Sequence, residues 1–167
     1  VVVKTGLGLA LANSLVKLAG GSIMLTLFLV MIASLVLGMG APTTANYVIT
    51  STIAAPAILT LLAPNTPMEL VPLVTVMSAH FFVFYFGIIA DITPPVALAA
   101  FAASGISGGD PIKTGVHSAK LAIAAFIIPY MIVLQPALLM VDVTILQIVW
   151  VTISAVIGMI GIGAGII

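Results

Sequence analysis

The sequence has no cysteine and no arginine, and only 5% of its 167 residues are charged. Without cysteine there is neither a disulfide framework nor a thiolate metal site. Without arginine there is no forked donor to grip a second carboxylate. The cations are Lys4, Lys17, Lys113 and Lys120, the formal net charge is zero, and no basic surface argues for nucleic acid. A soluble domain carries roughly 25% charged residues. Here 63% of residues are hydrophobic and the mean hydropathy is +1.44, which makes this an integral membrane protein. Enzyme signatures are also scarce. There is no His-Glu-x-x-His helix, no nucleophile turn is expected, and Asp91 has no partner acid in an apolar run, as an intramembrane aspartyl protease requires. No basic, apolar, small-residue layout of a signal peptide opens the chain. It starts Val1-Val2-Val3-Lys4 and ends inside the apolar stretch Ile160 to Ile167, which reads as a fragment of a longer protein.

What the sequence does have is two polar, proline-marked breaks in an otherwise lipid-soluble chain. The first is Gly38-Met39-Gly40-Ala41-Pro42-Thr43-Thr44-Ala45-Asn46, and the second is Asp91-Ile92-Thr93-Pro94-Pro95. Non-helical backbone at membrane depth survives only where protein buries it or where it lines a wet cavity. Paired interruptions of this kind point to a solute site in a secondary transporter.

The apolar runs set the architecture, an all-α membrane domain. In residues 1–20, Leu7, Leu11, Leu15 and Leu18 fall on one helical face, which fits an interfacial amphipathic helix or the end of a transmembrane one. Ser22 to Leu37 holds 16 residues, about 24 Å as a helix and short of a ~30 Å hydrocarbon core. Tyr47 to Leu62 is similar, so residues 22–62 read as a re-entrant hairpin or as two tilted spans. Ala63-Pro64-Asn65-Thr66-Pro67 is a turn. Residues 70–106 are too long for one straight span, and a helix broken near Asp91 resolves this, because Pro94 and Pro95 lack amide donors and restrict the residues before them. Ser107 to Pro111 is a loop. Residues 118–141, with Pro129 and Pro136, and 143–167 are transmembrane helices, the last with Trp150 as packing residue or interface anchor and Gly161 and Gly165 as a close-packing pair. Lys113 and Lys120 place their loop in the cytoplasm by the positive-inside tendency, while Lys4 and Lys17 argue the other way.

Each candidate site residue has a structural reading beside the functional one. Gly38 and Gly40 permit unusual backbone. Pro42 ends regular hydrogen bonding, and Thr43, Thr44 and Asn46 offer hydroxyl and amide groups near a helix N-terminus that suits a carboxylate. The carbonyls ending the first arm suit Na⁺. Alternatively, this is a tight turn with Thr43 or Thr44 as N-cap. Asp91 must be hydrated, paired, protonated or metal-bound. Thr93 and carbonyls freed by Pro94 and Pro95 would complete an oxygen cage for Na⁺ or a proton relay, unless Asp91 caps the second half-helix. His80, amid aromatic residues, reads as a hydrogen-bonded packing residue more readily than as a ligand, and His117 as interfacial. Ser104 and Gly105 are either cavity lining or an ordinary helix end. A transporter predicts that the two breaks face each other across a cavity. A non-transporting membrane scaffold predicts that they pack tightly, and an unrelated transporter or channel module stays open as a further alternative.

Three stretches resemble the large membrane subunit of TRAP (tripartite ATP-independent periplasmic) transporters. They are Gly38 to Tyr47, His80-Phe81-Phe82-Val83-Phe84-Tyr85-Phe86-Gly87-Ile88-Ile89, and Asp91-Ile92-Thr93-Pro94-Pro95-Val96-Ala97-Leu98-Ala99-Ala100. The likeness is to the DctM-like large permease, in the branch of fused permeases that work with TAXI-type binding proteins, and it weakens beyond about Val141. It implies one half of an inverted-repeat, ion-transporter-superfamily fold with elevator-like motion, in a bacterial or archaeal inner membrane. It also implies Na⁺-coupled uptake of a small organic acid, with H⁺ coupling as the alternative and no other cofactor. The implied partners are a periplasmic solute-binding protein, a small membrane subunit or fused domain, and the N-terminal repeat. By this resemblance Gly38, Gly40, Thr43 and Thr44 at the first break and Thr93, Pro94 and Pro95 at the second would frame ion and solute. With the residue reading, the candidate solute set is Gly40, Pro42, Thr43, Thr44, Asn46, Pro94 and Pro95, and the candidate Na⁺ set is Gly38, Gly40, Asp91 and Thr93, with H⁺ coupling or helix capping as the alternative roles of Asp91.

Overall fold

The computed structural model describes residues 6–166; Lys4, whose charge enters the orientation argument, lies outside them, as does Ile167. The described residues form α-helices α1 (Leu7–Leu18), α2 (Ile23–Gly38), α3 (Thr43–Ile53), α4 (Ala55–Leu62), α5 (Leu73–Ile89), α6 (Leu98–Ser107), α7 (Pro111–Leu121), α8 (Ile123–Leu134) and α9 (Ile145–Ile166), with no strand among them.

Proline and glycine place the boundaries. Pro72 stands immediately before α5, and Pro111 opens α7, positions where a missing N–H costs nothing. Pro56, in the first turn of α4, cannot donate to the carbonyl four residues back, so the second arm breaks at Ala54. That arm is longer than the sequence implies. Thr43, Thr44 and Asn46 join its first turn, and Thr43–Leu62 spans 20 residues, about 30 Å. Residues 118–141 are not one helix. Ser118–Leu121 close α7, which meets α8 at a 41° bend, and α8 stops at Leu134 because Pro136 drives Gln135 out of helical geometry.

α5 is the hub, touching α2, α3, α4 and α8. Phe82 and Phe86 are fully buried and meet Tyr130 of α8 edge-on at 5.1 and 5.9 Å between ring centroids. The Tyr130 hydroxyl donates to the Met31 Sδ at 3.3 Å, tying α8 to α2.

Among its described side chains, α1 buries small residues more fully than leucines. Leu11 is 42% and Leu18 74% exposed, whereas Gly8, Ala12 and Ala19 are buried and Leu15 is half-buried. Lipid tails are as apolar as leucine, so helices gain by close approach, and small residues permit it. Gly8 sits against the Thr52 carbonyl of α3 with no room for a Cβ.

The pair Gly161 and Gly165 touches nothing: a methyl group on either would meet no atom within 4 Å among the described residues. Trp150 is 67% exposed.

Candidate solute and ion site at the two breaks

The first break is an open turn with a polar outer rim. Gly38 ends α2, Gly40 takes a left-handed φ of 75°, and the Ala41 N–H donates to the Gly38 carbonyl at 3.4 Å. Pro42, extended at ψ 143°, occupies the N-cap position of α3, and no side chain caps that helix. Neither threonine is therefore an N-cap. Thr43 and Thr44 lie past the cap, with exposed side chains. The Asn46 N–H donates to the Pro42 carbonyl at 2.9 Å, while the N–H groups of Thr43, Thr44 and Ala45 have no partner among the described residues. Three free donors at a helix N-terminus favour an anion.

Asn46 behaves differently from its neighbours. It is only 2% exposed, and its Nδ2 donates to the Gly87 carbonyl of α5 at 2.7 Å. Its side chain therefore faces α5 and not the polar rim where Thr43 and Thr44 lie. A methyl group on Gly87 would stand 2.8 Å from the Asn46 Nδ2, and one on Gly38 would stand 2.7 Å from the same atom and 2.9 Å from the Ala90 Cβ. Two glycines thus make the recess that holds one amide.

At the second break α5 gives way to a 3-10 turn, Ala90–Ile92, and the chain does not become helical again until Leu98. The Pro94–Pro95 peptide is cis, and Ala97 sits in the left-handed region at φ 39° and ψ 49°. Such a conformation costs a residue with a Cβ on the order of 1 kcal/mol, and it concentrates at functional sites. Gly115 of α7 braces the break, leaving a would-be Cβ 3.3 Å from both Pro94 Cγ and Ala97 Cβ. The Thr93 hydroxyl donates to the Ile89 carbonyl at 2.7 Å, keeping its oxygen lone pairs as acceptors. Asp91 is half-buried and has no hydrogen-bond partner among the described residues. It does not cap the second half-helix, whose N-cap is Ala97. No three His, Cys, Asp or Glu side chains converge among the described residues, so a cation here would draw its oxygens from carbonyls, hydroxyls and Asp91.

The chain brings the two breaks together at Gly38, Asn46, Gly87 and Ala90. They meet by contact, not across a cavity, which among the described residues is the packing expected of a scaffold and not the facing cavity expected of a transporter: the described hollows lie to the sides, and none takes lining from both breaks. Gly40, Pro42, Thr43, Thr44 and Pro95 are exposed around this contact, and Pro94 is half-buried.

Gly87 and Ala90 carry the junction, and Gly87 is the member a sequence argument can reach, as a lone glycine inside an apolar helix. His80 accepts or donates at 2.9 Å through its Nδ1 to the Tyr47 hydroxyl, so it has a hydrogen-bonded partner as well as aromatic neighbours. The Ser104 hydroxyl is held by the Phe101 carbonyl at 2.7 Å. Gly105-Ile106-Ser107-Gly108-Gly109 does carry the Gly-x-Ser-x-Gly spacing, against the expectation of no such turn. Ser107, however, closes a helix, whereas a nucleophile turn leads from strand into helix.

Three helical segments are long and apolar enough to cross a membrane (Thr43–Leu62, Leu73–Ile92 and Ile145–Gly165), and the bent pair α7–α8 makes a fourth if counted as one span. With a hairpin packed on a broken helix, this defines a helical membrane protein of transporter type. The family model for "Tripartite ATP-independent periplasmic transporter, DctM component" matches residues 1–146, both breaks included, and the chain belongs to that family. It is a family of transporter components, not of enzymes. No curated protein and no solved structure matches the chain significantly.

Proposed function

We propose that this chain is the part of a TRAP-type permease that carries solute and coupling ion, importing a small organic anion down a Na⁺ gradient by an elevator-like motion. The observation that supports this reading most is the family match over residues 1–146, both breaks included. At the first break three free N–H groups stand at the start of α3, and the Asn46 amide of the same turn reaches the Gly87 carbonyl near the C-terminal end of α5. Positive and negative helix ends at one place suit an anion and a cation together.

In this proposal Thr43 and Thr44, with the backbone of Gly40 and Pro42, meet the carboxylate, and Pro94 and Pro95 shape the far wall. Asp91, the Thr93 oxygen and carbonyls near Gly38 and Gly40 take Na⁺. The exposed rim closes against the N-terminal repeat, which supplies the rest of the cavity. The hairpin is re-entrant in this proposal although its second arm, Thr43–Leu62, is long enough to span, and the loop before α7 is cytoplasmic, with Lys113 exposed in the first turn of α7 and Lys120 in its last. A TAXI-type periplasmic binding protein delivers the solute, and a small membrane subunit or fused domain completes the permease in a bacterial or archaeal inner membrane.

The test is uptake by the full-length permease in proteoliposomes with its binding protein, with and without an inward Na⁺ gradient. Na⁺-driven uptake that is lost in Thr93→Ala and kept in Thr93→Ser is the expected result. Uptake indifferent to Na⁺ would transfer the coupling role to H⁺ through Asp91.

A further inference from the structure

The last four carbonyls of a helix have no donor of their own within it. At the end of α5, two side chains supply donors. The Thr93 hydroxyl reaches back to Ile89 at 2.7 Å, within its own segment. The Asn46 amide comes from 41 residues away, across the hairpin, and reaches Gly87 at 2.7 Å. Asn46 is itself fixed in α3, since its carbonyl accepts from the buried Thr50 hydroxyl at 3.0 Å. The amide is nearly sealed from solvent, and its Oδ1 is buried without a partner. A buried acceptor left unpaired is destabilising. Turning the amide over would set its oxygen against the Gly87 oxygen, which is worse, so the donor assignment follows from the network. The glycines at 38 and 87 leave space for this side chain and for nothing larger than hydrogen on their own Cα atoms.

We propose that Asn46 is a positioning residue: its side chain ties the hairpin tip to the last turn of α5, so that the two breaks keep one spacing and move as one body. This rests on the transport reading only for its ion-binding readout. A site built from groups on both breaks requires that spacing, because displacement by about 1 Å costs a pre-organised site heavily.

Asn46→Leu keeps the forked shape at a larger volume and removes the donor. Hydrogen–deuterium exchange on the full-length permease should then rise about tenfold both at residues 39–46 and at 88–93, with the middle of α5 unchanged. Binding of ²²Na⁺ to the same variant should need a roughly tenfold higher half-saturating concentration, with the number of sites unchanged. A second variant restores the tie by other means. Asn46→Cys/Gly87→Cys, with any other cysteine of the full-length chain removed, should form a disulfide in membranes. Oxidised, it should return to within about twofold of wild type in exchange and ²²Na⁺ binding, and reduced it should match Asn46→Leu. Exchange that rises at only one break, or at neither, overturns the proposal, as does failure of the cysteines to cross-link. A cross-linked protein as loose as the reduced one overturns it too. If wild type binds no ²²Na⁺, the Na⁺ reading falls, and exchange and cross-linking alone decide the tie.

Discussion

α5 and α9 are both long, apolar helices without a charge, yet the segment Leu73–Ile92 built on α5 is 44% buried inside the protein and Ile145–Gly165 of α9 is 0% buried among the described residues. Hydropathy does not separate them. α5 has Ser78, Ala79, Phe82, Val83, Phe86 and Gly87 on buried positions, so small residues admit neighbouring helices and large rings fill what remains. α9 has glycines too, at 158, 161, 163 and 165, but nothing approaches them among the described residues. Because lipid replaces water around both, apolarity gives a helix its place in the membrane and shape complementarity gives it neighbours.

The largest effect should come from emptying the hub. Phe86→Ala removes a ring that touches Phe82, Phe126 and Tyr130, and should cost about 3 kcal/mol, read as the loss of folded permease in detergent thermal unfolding. The matched change on α9, Ile157→Ala, should stay within about 0.5 kcal/mol, since Ile157 is 65% exposed; equal losses would erase the contrast.

Overpacking comes next. Gly38→Leu drives a side chain into Asn46, Gly87 and Ala90 and should cost about 1–3 kcal/mol, whereas Gly161→Leu should be silent in the same assay. A silent Gly38→Leu would mean that the breaks are not in contact.

Asp110 offers a smaller, local effect. Its side chain accepts from the Lys113 N–H at 2.8 Å and caps α7, so Asp110→Ala should cost about 1 kcal/mol.

The smallest stability effect should be that of Thr43→Ala/Thr44→Ala, because both side chains are exposed and cap nothing. Thermal unfolding should shift by less than about 0.5 kcal/mol, while Na⁺-dependent uptake weakens. Unchanged Na⁺ dependence would remove them from the site.

Much of this was legible in the chain. The proline runs mark both breaks, since a missing N–H acts wherever it falls. The start of α7 at Pro111 follows from the same chemistry, whereas Pro72 and Pro136, read as lying inside apolar spans, bound α5 and α8 in the structure. What misled was apolar spacing. The leucine stripe of α1 gave its lipid-facing side, but not the inner face of Gly8, Ala12 and Ala19 that the structure buries. The Gly161/Gly165 pair looked like a helix interface and has no partner among the described residues. Asn46 looked like Thr43 and Thr44, three residues alike in polarity within four positions. Two helical steps, roughly 200°, turn Asn46 away from Thr44, and Thr43, on nearly the same face as Asn46, is exposed because it opens the helix.

The sequence by itself determined that this is a helical membrane protein with two interruptions, because hydropathy and missing amide donors are properties of each residue wherever it lies. Only the tertiary structure decided that the interruptions touch, that Gly87 and Ala90 are the place where they do, and that Asn46 joins them. Those facts depend on which residues 41 positions apart come within hydrogen-bond reach, and no local periodicity encodes that distance.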